Sequence, residues 1–122
     1  MKALEIHSLN RIILFHFQKF EGMKITTQAL HFDADVKLLE FIEKKLQKLD
    51  VFFDQIINAQ VVLKLENSGQ VRDKIAEIKV KVPRGFLVAK ETNKTFEASV
   101  DAAIEALRRQ LIKYKQRLRP NL

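Results

Sequence analysis

The sequence predicts a two-layer α+β domain in which two helices cover one face of a four-stranded sheet. Its 122 residues, 47% of them hydrophobic and 30% charged, suffice for one domain with one modest core. Two long segments repeat apolar residues every three or four positions, as amphipathic helices do. Three short segments show the two-residue alternation of strands, and a fourth follows a tight turn. Their order, β-α-β-β-β-α, favours both helices on the same face of the sheet.

The first 22 residues differ in pattern from the rest of the chain. An apolar run at residues 12–17 follows the charged residues Glu5 and Arg11. The run is shorter than the core of a typical secretory signal, no small-residue cleavage site follows it, and it is far too short to span a bilayer. We therefore expect residues 1–22 to be a loosely attached extension and the domain to comprise residues 23–119. A docking strand or a short helix is the alternative.

A strand and a helix begin the predicted domain. Ile25, Thr27 and Ala29 can share one face of the first strand. Asp33 and Asp35 then supply capping carboxylates ahead of a long helical segment. We expect the apolar stripe of this helix to face the core, and it comprises Leu38, Leu39, Ile42, Leu46, Leu49 and Phe53.

Three antiparallel strands are predicted next. Residues 57–65 alternate, with the odd-numbered side chains on the buried face. Residues 76–82 alternate as well, with the even-numbered side chains on the buried face. The turn-forming segment 67–70 lies between them, so the two strands should form a hairpin. Residues 83–85 (PRG) make a tight connection, and residues 86–89 continue the meander as a further strand.

The last element is a long amphipathic helix from about Thr95 to Leu118. Its narrow apolar stripe comprises Phe96, Val100, Ala103, Ile104, Leu107, Leu111, Tyr114 and Leu118. Acidic residues occupy the first half of the helix and basic residues its end, as the helix dipole favours. Phe53, Phe96 and Tyr114 belong to the apolar stripes, so we expect these aromatic rings to pack in the core rather than stack on bases.

The charge distribution favours a polyanionic partner. The net charge is +7 and the pI is about 9.8, as expected for a protein that binds nucleic acid or an anionic membrane surface. No Asp or Glu follows residue 106, whereas six cations do: Arg108, Arg109, Lys113, Lys115, Arg117 and Arg119. At 100° per residue, the first helix carries Lys37, Lys44, Lys45 and Lys48 on one flank and Glu40, Glu43 and Asp50 on the other. One surface lysine usually only solvates a face, but a cluster can bind phosphates collectively.

Few residues offer the chemistry of catalysis or of cofactor binding. The chain has no Cys, which excludes disulfides, thiolate nucleophiles and Cys-based zinc sites. Two of the three His lie within residues 1–22, and His31 has neither metal-ligand spacing nor a neighbouring nucleophile. We therefore expect a non-enzymatic protein with no metal and no other cofactor.

Several segments have an order and spacing that match a known family. They are residues 41–49 (FIEKKLQKL) followed by Phe53 and Asp54, residues 61–65 (VVLKL), residues 99–104 (SVDAAI) and residues 107–115 (LRRQLIKYK). Together these segments resemble the bacterial ribosome hibernation promoting factor and ribosome-associated inhibitor family. The resemblance covers residues 23–119, and residues 1–22 have no counterpart in the family.

The resemblance implies a fold like that of double-stranded-RNA-binding domains and a cytoplasmic protein that binds the small ribosomal subunit. Such a protein occupies the mRNA/tRNA channel, contacts small-subunit rRNA through basic helices and promotes the hibernation of idle ribosomes. Because the chain stops at Leu122, it resembles the short type of promoting factor. The resemblance implies no membrane and no small-molecule substrate, and we expect the free protein to be a monomer.

Nine cations are candidate rRNA phosphate contacts. Those that lie on basic flanks and match family positions are Lys45, Lys48, Arg109, Lys113 and Lys115; Lys37, Lys44, Arg108 and Arg117 come next. Asp54 and Asp101 also match family positions, and capping or an ion pair accounts for them. A protein-interaction module that modulates a transcription factor is the alternative function. Its binding would be far less sensitive to salt than binding to rRNA.

Overall fold

The predicted two-layer α+β class is confirmed by the structure, a computed structural model that describes residues 13–20, 23–68 and 71–118. Its elements in chain order are β1 (Ile13–Phe20), β2 (Met23–Leu30), α1 (Val36–Phe52), β3 (Asn58–Ser68), β4 (Val71–Val82), β5 (Gly85–Asn93) and α2 (Phe96–Leu118). Both helices pack on one face of a single sheet, whose strand order is β1-β2-β3-β4-β5. The predicted order of elements corresponds to β2 through α2.

The sheet has five strands, one more than predicted. β1 pairs antiparallel with β2 along its whole length. Loose attachment is therefore wrong for residues 13–20, which form the docking strand that was the alternative. Without β1, β2 would be an edge strand with unpaired backbone N–H and C=O groups, and β1 satisfies those groups. Residues 1–12 and 21–22 lie outside the described residues, and the domain boundary at residue 23 stays a prediction.

The strands beyond β2 follow the predicted meander. β2 and β3 run parallel because α1 connects them as a crossover, whereas β3, β4 and β5 pair antiparallel in sequence. Ala59, Val61 and Leu63 are buried as the alternation predicts. Ile57 was expected on the same buried face but is 46% exposed, because it lies one residue before β3 at the end of the sheet.

The first helix begins and packs as its sequence predicts. Asp35, rather than Asp33, is the N-cap, and its carboxylate accepts a 2.8 Å hydrogen bond from the backbone N–H of Leu38. All six residues of the predicted apolar stripe are buried: Leu38, Leu39, Ile42, Leu46, Leu49 and Phe53. α1 thus covers the side of the sheet formed by β1 and β2.

The second helix covers β4 and β5. The Thr95 hydroxyl accepts a 3.0 Å hydrogen bond from the Ala98 N–H at its start. One turn on, the buried Ser99 hydroxyl donates a 2.6 Å hydrogen bond to the Lys74 carbonyl, which ties the start of α2 to β4. The predicted stripe is buried except for its last member, Leu118, which is 36% exposed. The C-terminal turn of α2 therefore reaches past the core.

Candidate nucleic-acid interface

The two helices lie side by side and run in the same direction. Lys45 in the middle of α1 contacts Asp101 in the first half of α2, with 2.9 Å between the Lys45 Nζ and the Asp101 Oδ1 atoms. Farther along, the Phe53 ring meets the Tyr114 ring edge-on, with centroids 5.6 Å apart. The contacts advance together along both helices. The basic C-terminal halves of α1 and α2 are therefore neighbours in space.

The aromatic rings in the apolar stripes belong to the core. The side chains are at most 7% exposed in Phe53, Phe96 and Tyr114. This confirms that the three rings pack in the core and are not available to stack on bases. Phe96 stacks on Phe32 with ring centroids 4.6 Å apart. The Tyr114 hydroxyl accepts a 3.3 Å hydrogen bond from the backbone N–H of Arg84 and so ties α2 to the β4–β5 turn.

A groove with a volume of about 440 Å³ opens between the helices. Its lining consists of Lys45, Lys48, Leu49 and Phe52 from α1 and of Asp101, Ile104, Glu105 and Arg108 from α2. The acids lie on the N-terminal side of α2, and the cations increase toward the C-terminal end. Cations at that end also interact favourably with the partial negative charge of the helix termini.

Phe52 is not among the predicted site residues, yet it lies between two of the candidate cations. The guanidinium carbon of Arg108 is 5.2 Å from the Phe52 ring centroid, and the Lys115 Nζ is 4.6 Å from it. Lys115 also donates a 3.4 Å hydrogen bond to the Phe52 carbonyl. A signal was present in the sequence, because Phe52 follows Lys48 by four residues and shares its flank of α1. Phe52 thus contacts both cations, with Arg108 inside the groove and Lys115 beyond its end.

Lys45 is partly neutralised within the protein. Its ion pair with Asp101 has side chains that are 30% and 52% exposed, and its ammonium is also 5.3 Å from the Phe41 ring centroid. Of the two explanations offered for Asp101, the ion pair is the one that the structure has. An exposed pair of this kind contributes about 0–1 kcal/mol to stability. It also orients the Lys45 ammonium along the groove.

Five of the candidate cations are exposed and pair with no carboxylate among the described residues: Lys37, Lys44, Lys48, Arg109 and Lys113. Helical spacing places the three lysines on the solvent side of α1 and the other two on the solvent side of α2. Because none of these cations pairs with a described carboxylate, their N–H groups can bind an external anion. Charge-assisted hydrogen bonds to phosphate oxygens are the strongest contacts that such groups make.

The predicted ridge of Arg109, Lys113 and Arg117 lies apart from the groove, since none of the three lines it. The Arg117 guanidinium carbon is 5.9 Å from the Tyr114 ring centroid, so this side chain leans back on the helix. Arg119 lies outside the described residues. α2 thus presents its cations on two flanks, one toward the groove and one toward solvent.

The acidic flank of α1 lies away from its cations, as predicted. Burial raises the pKa of the Asp50 carboxyl, and the negative charge of the nearby Asp54 raises it further. The Asp50 Oδ1 atom is buried and has no hydrogen-bond partner among the described residues. A polyanion approaching this flank would meet carboxylates, so the helical layer has one attractive side and one repulsive side.

The chemistry that the described residues offer is anion binding. In that part of the chain no three His, Cys, Asp or Glu side chains are placed to hold a metal ion. Nor does any helix there have the length and apolarity needed to cross a membrane. His31 lies in the connection between β2 and α1, with a φ of +71°.

The fold and the family resemblance both have support from known proteins. The family model described as "Sigma 54 modulation protein / S30EA ribosomal protein" matches residues 25–119. The match covers nearly the whole predicted domain and begins after β1.

Individual relatives support the same family. A ribosome hibernation promoting factor from Pseudomonas putida is 30% identical over 95 residues, which are 78% of this chain and 89% of that protein. Its namesake from Escherichia coli (strain K12) is 33% identical over 97 residues, 80% of this chain and 98% of that protein. A solved ribosomal subunit interface protein from Coxiella burnetii matches with a TM-score of 0.65 and 26% identity, over 77% of this chain and 97% of that one. These matches confirm the family inferred from the sequence.

Proposed function

Because the chain belongs to the Sigma 54 modulation protein / S30EA ribosomal protein family, we propose that it is a ribosome-binding translation inhibitor that promotes the hibernation of idle ribosomes. In this proposal it acts in the cytoplasm and occupies the mRNA/tRNA channel of the small subunit, where it contacts rRNA. The family is one of non-enzymatic binding proteins, so inhibition comes from occupying space rather than from chemistry.

The observation that carries the proposal is the convergence of cations on the outer side of the helical layer. We call this the basic helical surface, and it comprises Lys37, Lys44, Lys45, Lys48, Arg108, Arg109, Lys113, Lys115 and Arg117. Lysine and arginine residues that neutralise phosphates release condensed counterions, and this release drives much of the affinity for RNA. Phosphate contacts of this kind fix the position of a protein on RNA without reading its sequence.

The groove end of the basic helical surface is ordered before any RNA arrives. Phe52 lies under Arg108 and Lys115, and the latter is also hydrogen-bonded to the backbone. Ordering a free long side chain on binding costs about 0.5–1.5 kcal/mol, and part of that cost is already met in the folded protein. These two cations therefore contribute more affinity per contact than freely rotating ones.

The alternative, a protein-interaction module that modulates a transcription factor, uses the same helices differently. The family description itself names sigma 54 modulation. An interface with another protein would depend on apolar contact area and would respond weakly to salt. Salt dependence therefore separates the two functions in one titration.

The test removes phosphate-binding charge while sparing the internal contacts. Lys48, Arg109 and Lys113 are exposed, so replacing all three by Ala should change the free energy of unfolding by no more than about 0.5 kcal/mol for each site. Affinity for purified small subunits is measured by sedimentation over a range of salt concentrations. We expect weaker binding, a salt slope reduced by about 0.9 for each lost phosphate contact, and a parallel loss of inhibition in cell-free translation.

A matched control removes the same charge elsewhere. Lys64, Lys74 and Lys94 lie outside the basic helical surface, and their replacement by Ala leaves the net charge equal to that of the first variant. We expect this control to bind almost as the parent does. Equal losses in both variants would mean that net charge alone attracts RNA, and an unchanged affinity and slope in the first variant would refute the role of the basic helical surface.

A further inference from the structure

The face of the sheet opposite the helices carries an ordered group of polar, basic and apolar side chains. The pairing of β3, β4 and β5 places one residue from each strand in a row across the sheet. A second row of three residues lies two positions farther along the strands. We call them together the sheet patch, and they are Asn58, Lys81 and Phe86 in the first row and Gln60, Lys79 and Val88 in the second. Neighbouring strands lie about 4.8 Å apart, so each row places its three side chains side by side.

Phe86 is the aromatic residue of the sheet patch and lies on its edge strand, β5. It is 52% exposed, and the neighbouring Val88 is 43% exposed. The Lys79 Nζ lies 4.2 Å and the Lys81 Nζ 4.7 Å from the Phe86 ring centroid. Neither lysine pairs with a carboxylate among the residues that the structure describes. An exposed aromatic ring thus lies beside two ammonium groups that have no anionic partner in the part of the chain that the structure describes.

Protection of the β5 edge against pairing with other strands does not explain the residues of the sheet patch. Edge strands are normally guarded by charged side chains that point outward from the edge strand itself. Here β5 is the edge strand, and at this end it presents the apolar Phe86 and Val88, whereas the two lysines lie on the inner strand β4. The arrangement leaves an aromatic surface open and surrounds it with positive charge.

We propose that the sheet patch is a second RNA site that binds single-stranded RNA. An unpaired base can stack on the Phe86 ring while its flanking phosphates reach Lys79 and Lys81. The amide groups of Asn58 and Gln60 lie in the same rows and can hydrogen-bond base edges. Sheet-based RNA-binding domains stack two or three splayed bases on exposed aromatic side chains in a similar way. A duplex cannot offer its base faces, so the site selects single strands.

Charge complementarity supports a polyanion as the occupant. The two rows contain two cations and no acid, and the exposed Arg84 in the adjoining turn adds a third cation. The nearest acid in the β4 ladder, Glu77, lies opposite Lys90 in the next row. The sheet patch lies on the face opposite the basic helical surface, so the two sites can act together or separately.

The test uses a fluorescently labelled single-stranded oligouridine of about twelve nucleotides, within the range of site sizes known for such grooves. Its binding to the full-length chain is measured by anisotropy at several salt concentrations. Phe86→Ala should weaken binding about 5- to 150-fold, the loss expected for one stacked base. Phe86→Tyr should bind as the parent does, and Phe86→Leu should behave like the Ala variant because it keeps apolar area without a stacking face.

The lysines are tested through the salt slope. Replacing Lys79 and Lys81 together by Ala should reduce the slope by about 0.7 for each lost phosphate contact on a single strand. Replacing Lys94, an exposed lysine outside the sheet patch, should leave the slope unchanged. An RNA duplex of the same length should show no effect of Phe86→Ala.

Two outcomes would overturn the proposal. One is an oligouridine affinity that does not change in Phe86→Ala. The other is a self-associated species of the parent chain that Phe86→Ala dissociates in sedimentation, which would make the patch an interface between protein copies. The oligouridine experiment tests the sheet patch alone. The proposed function is tested separately, by small-subunit binding of the variant in which Lys48, Arg109 and Lys113 are replaced by Ala.

Discussion

Replacing Phe52 by Ala tests whether the order of the cations, and not only their number, determines RNA affinity. Phe52 is half-buried and makes contact with Arg108 and Lys115 through its ring. The substitution leaves every charge in the protein in place. It removes the surface on which the two cations are held, together with the packing of that ring against the core.

The expected effect follows from the two contacts. Each cation–π contact at a partly exposed site contributes about 0.5–1 kcal/mol, so the variant should lose about 1–2 kcal/mol of stability from these contacts. On binding, the two side chains that the ring no longer holds must be ordered, at no more than about 0.5–1.5 kcal/mol each, since Lys115 keeps its hydrogen bond to the backbone carbonyl of residue 52. The affinity for the small subunit should therefore fall by no more than about 1–3 kcal/mol, roughly 5- to 150-fold.

The salt slope distinguishes lost order from lost contacts. Because the slope counts neutralised phosphates, Phe52→Ala should lower the affinity at every salt concentration with nearly the parent slope. Phe52→Leu keeps apolar packing without a π face and controls for the loss of stability, while Phe52→Tyr should retain affinity. If both Phe52→Ala and Phe52→Leu bind as tightly as the parent, prior ordering of Arg108 and Lys115 contributes nothing. A slope reduced by about two would instead mean that both phosphate contacts are gone.

Three further predictions concern stability. Leu107→Asp or Ile42→Asp should abolish cooperative unfolding, because both side chains are fully buried and an unpaired carboxylate in the core is strongly unfavourable. Thermal melts followed by circular dichroism measure this. A variant as stable as the parent would contradict the prediction. Since burial and Asp54 raise the folded-state pKa of Asp50, its ionisation lowers stability as the pH rises through that pKa. Asp50→Asn should therefore raise the midpoint of thermal unfolding at neutral pH, and this increase should vanish in acid, where Asp50 is protonated. An increase that does not depend on pH would show that ionisation of Asp50 does not destabilise the fold. A chain that begins at Met23 should still unfold cooperatively, but at a lower denaturant concentration because β2 loses the β1 ladder; an unchanged midpoint would show that β1 adds no stability.

Local periodicity was sufficient to predict the helices and most of the sheet. The stripes of α1 and α2 are buried nearly as predicted, because each helix has one apolar face and only one layer to pack against. The exceptions lie at ends: Ile57 precedes its strand, and Leu118 extends past the core. The spacing of apolar residues predicts which face of a helix or strand is buried, but it does not predict where along the element that burial ends.

Two features of the molecule depend on contacts that no local pattern contains. Residues 1–22 were expected to be a loosely attached extension because their pattern differs from that of the domain, yet residues 13–20 pair with the open edge of β2. The candidate site was predicted as flanks of separate helices, and the sequence does not say which flanks face each other. Only the parallel packing of α1 and α2 brings Phe52 to Arg108 and pairs Lys45 with Asp101.

In the proposed complex with rRNA, the acidic residues would limit the orientations that a chain with a net charge of +7 can take. Uniform positive charge would attract a polyanion to every face, and such binding would have no defined position. Asp50 on α1 and Asp54 just beyond its C-terminus make one flank repulsive, and on α2 Asp101 and Glu105 make the N-terminal end of the groove less attractive. Repulsion excludes alternative orientations at the cost of some attraction, as in other specific interfaces. The favourable approach that remains is toward the C-terminal halves of the helices, where Phe52 already orders two of the cations.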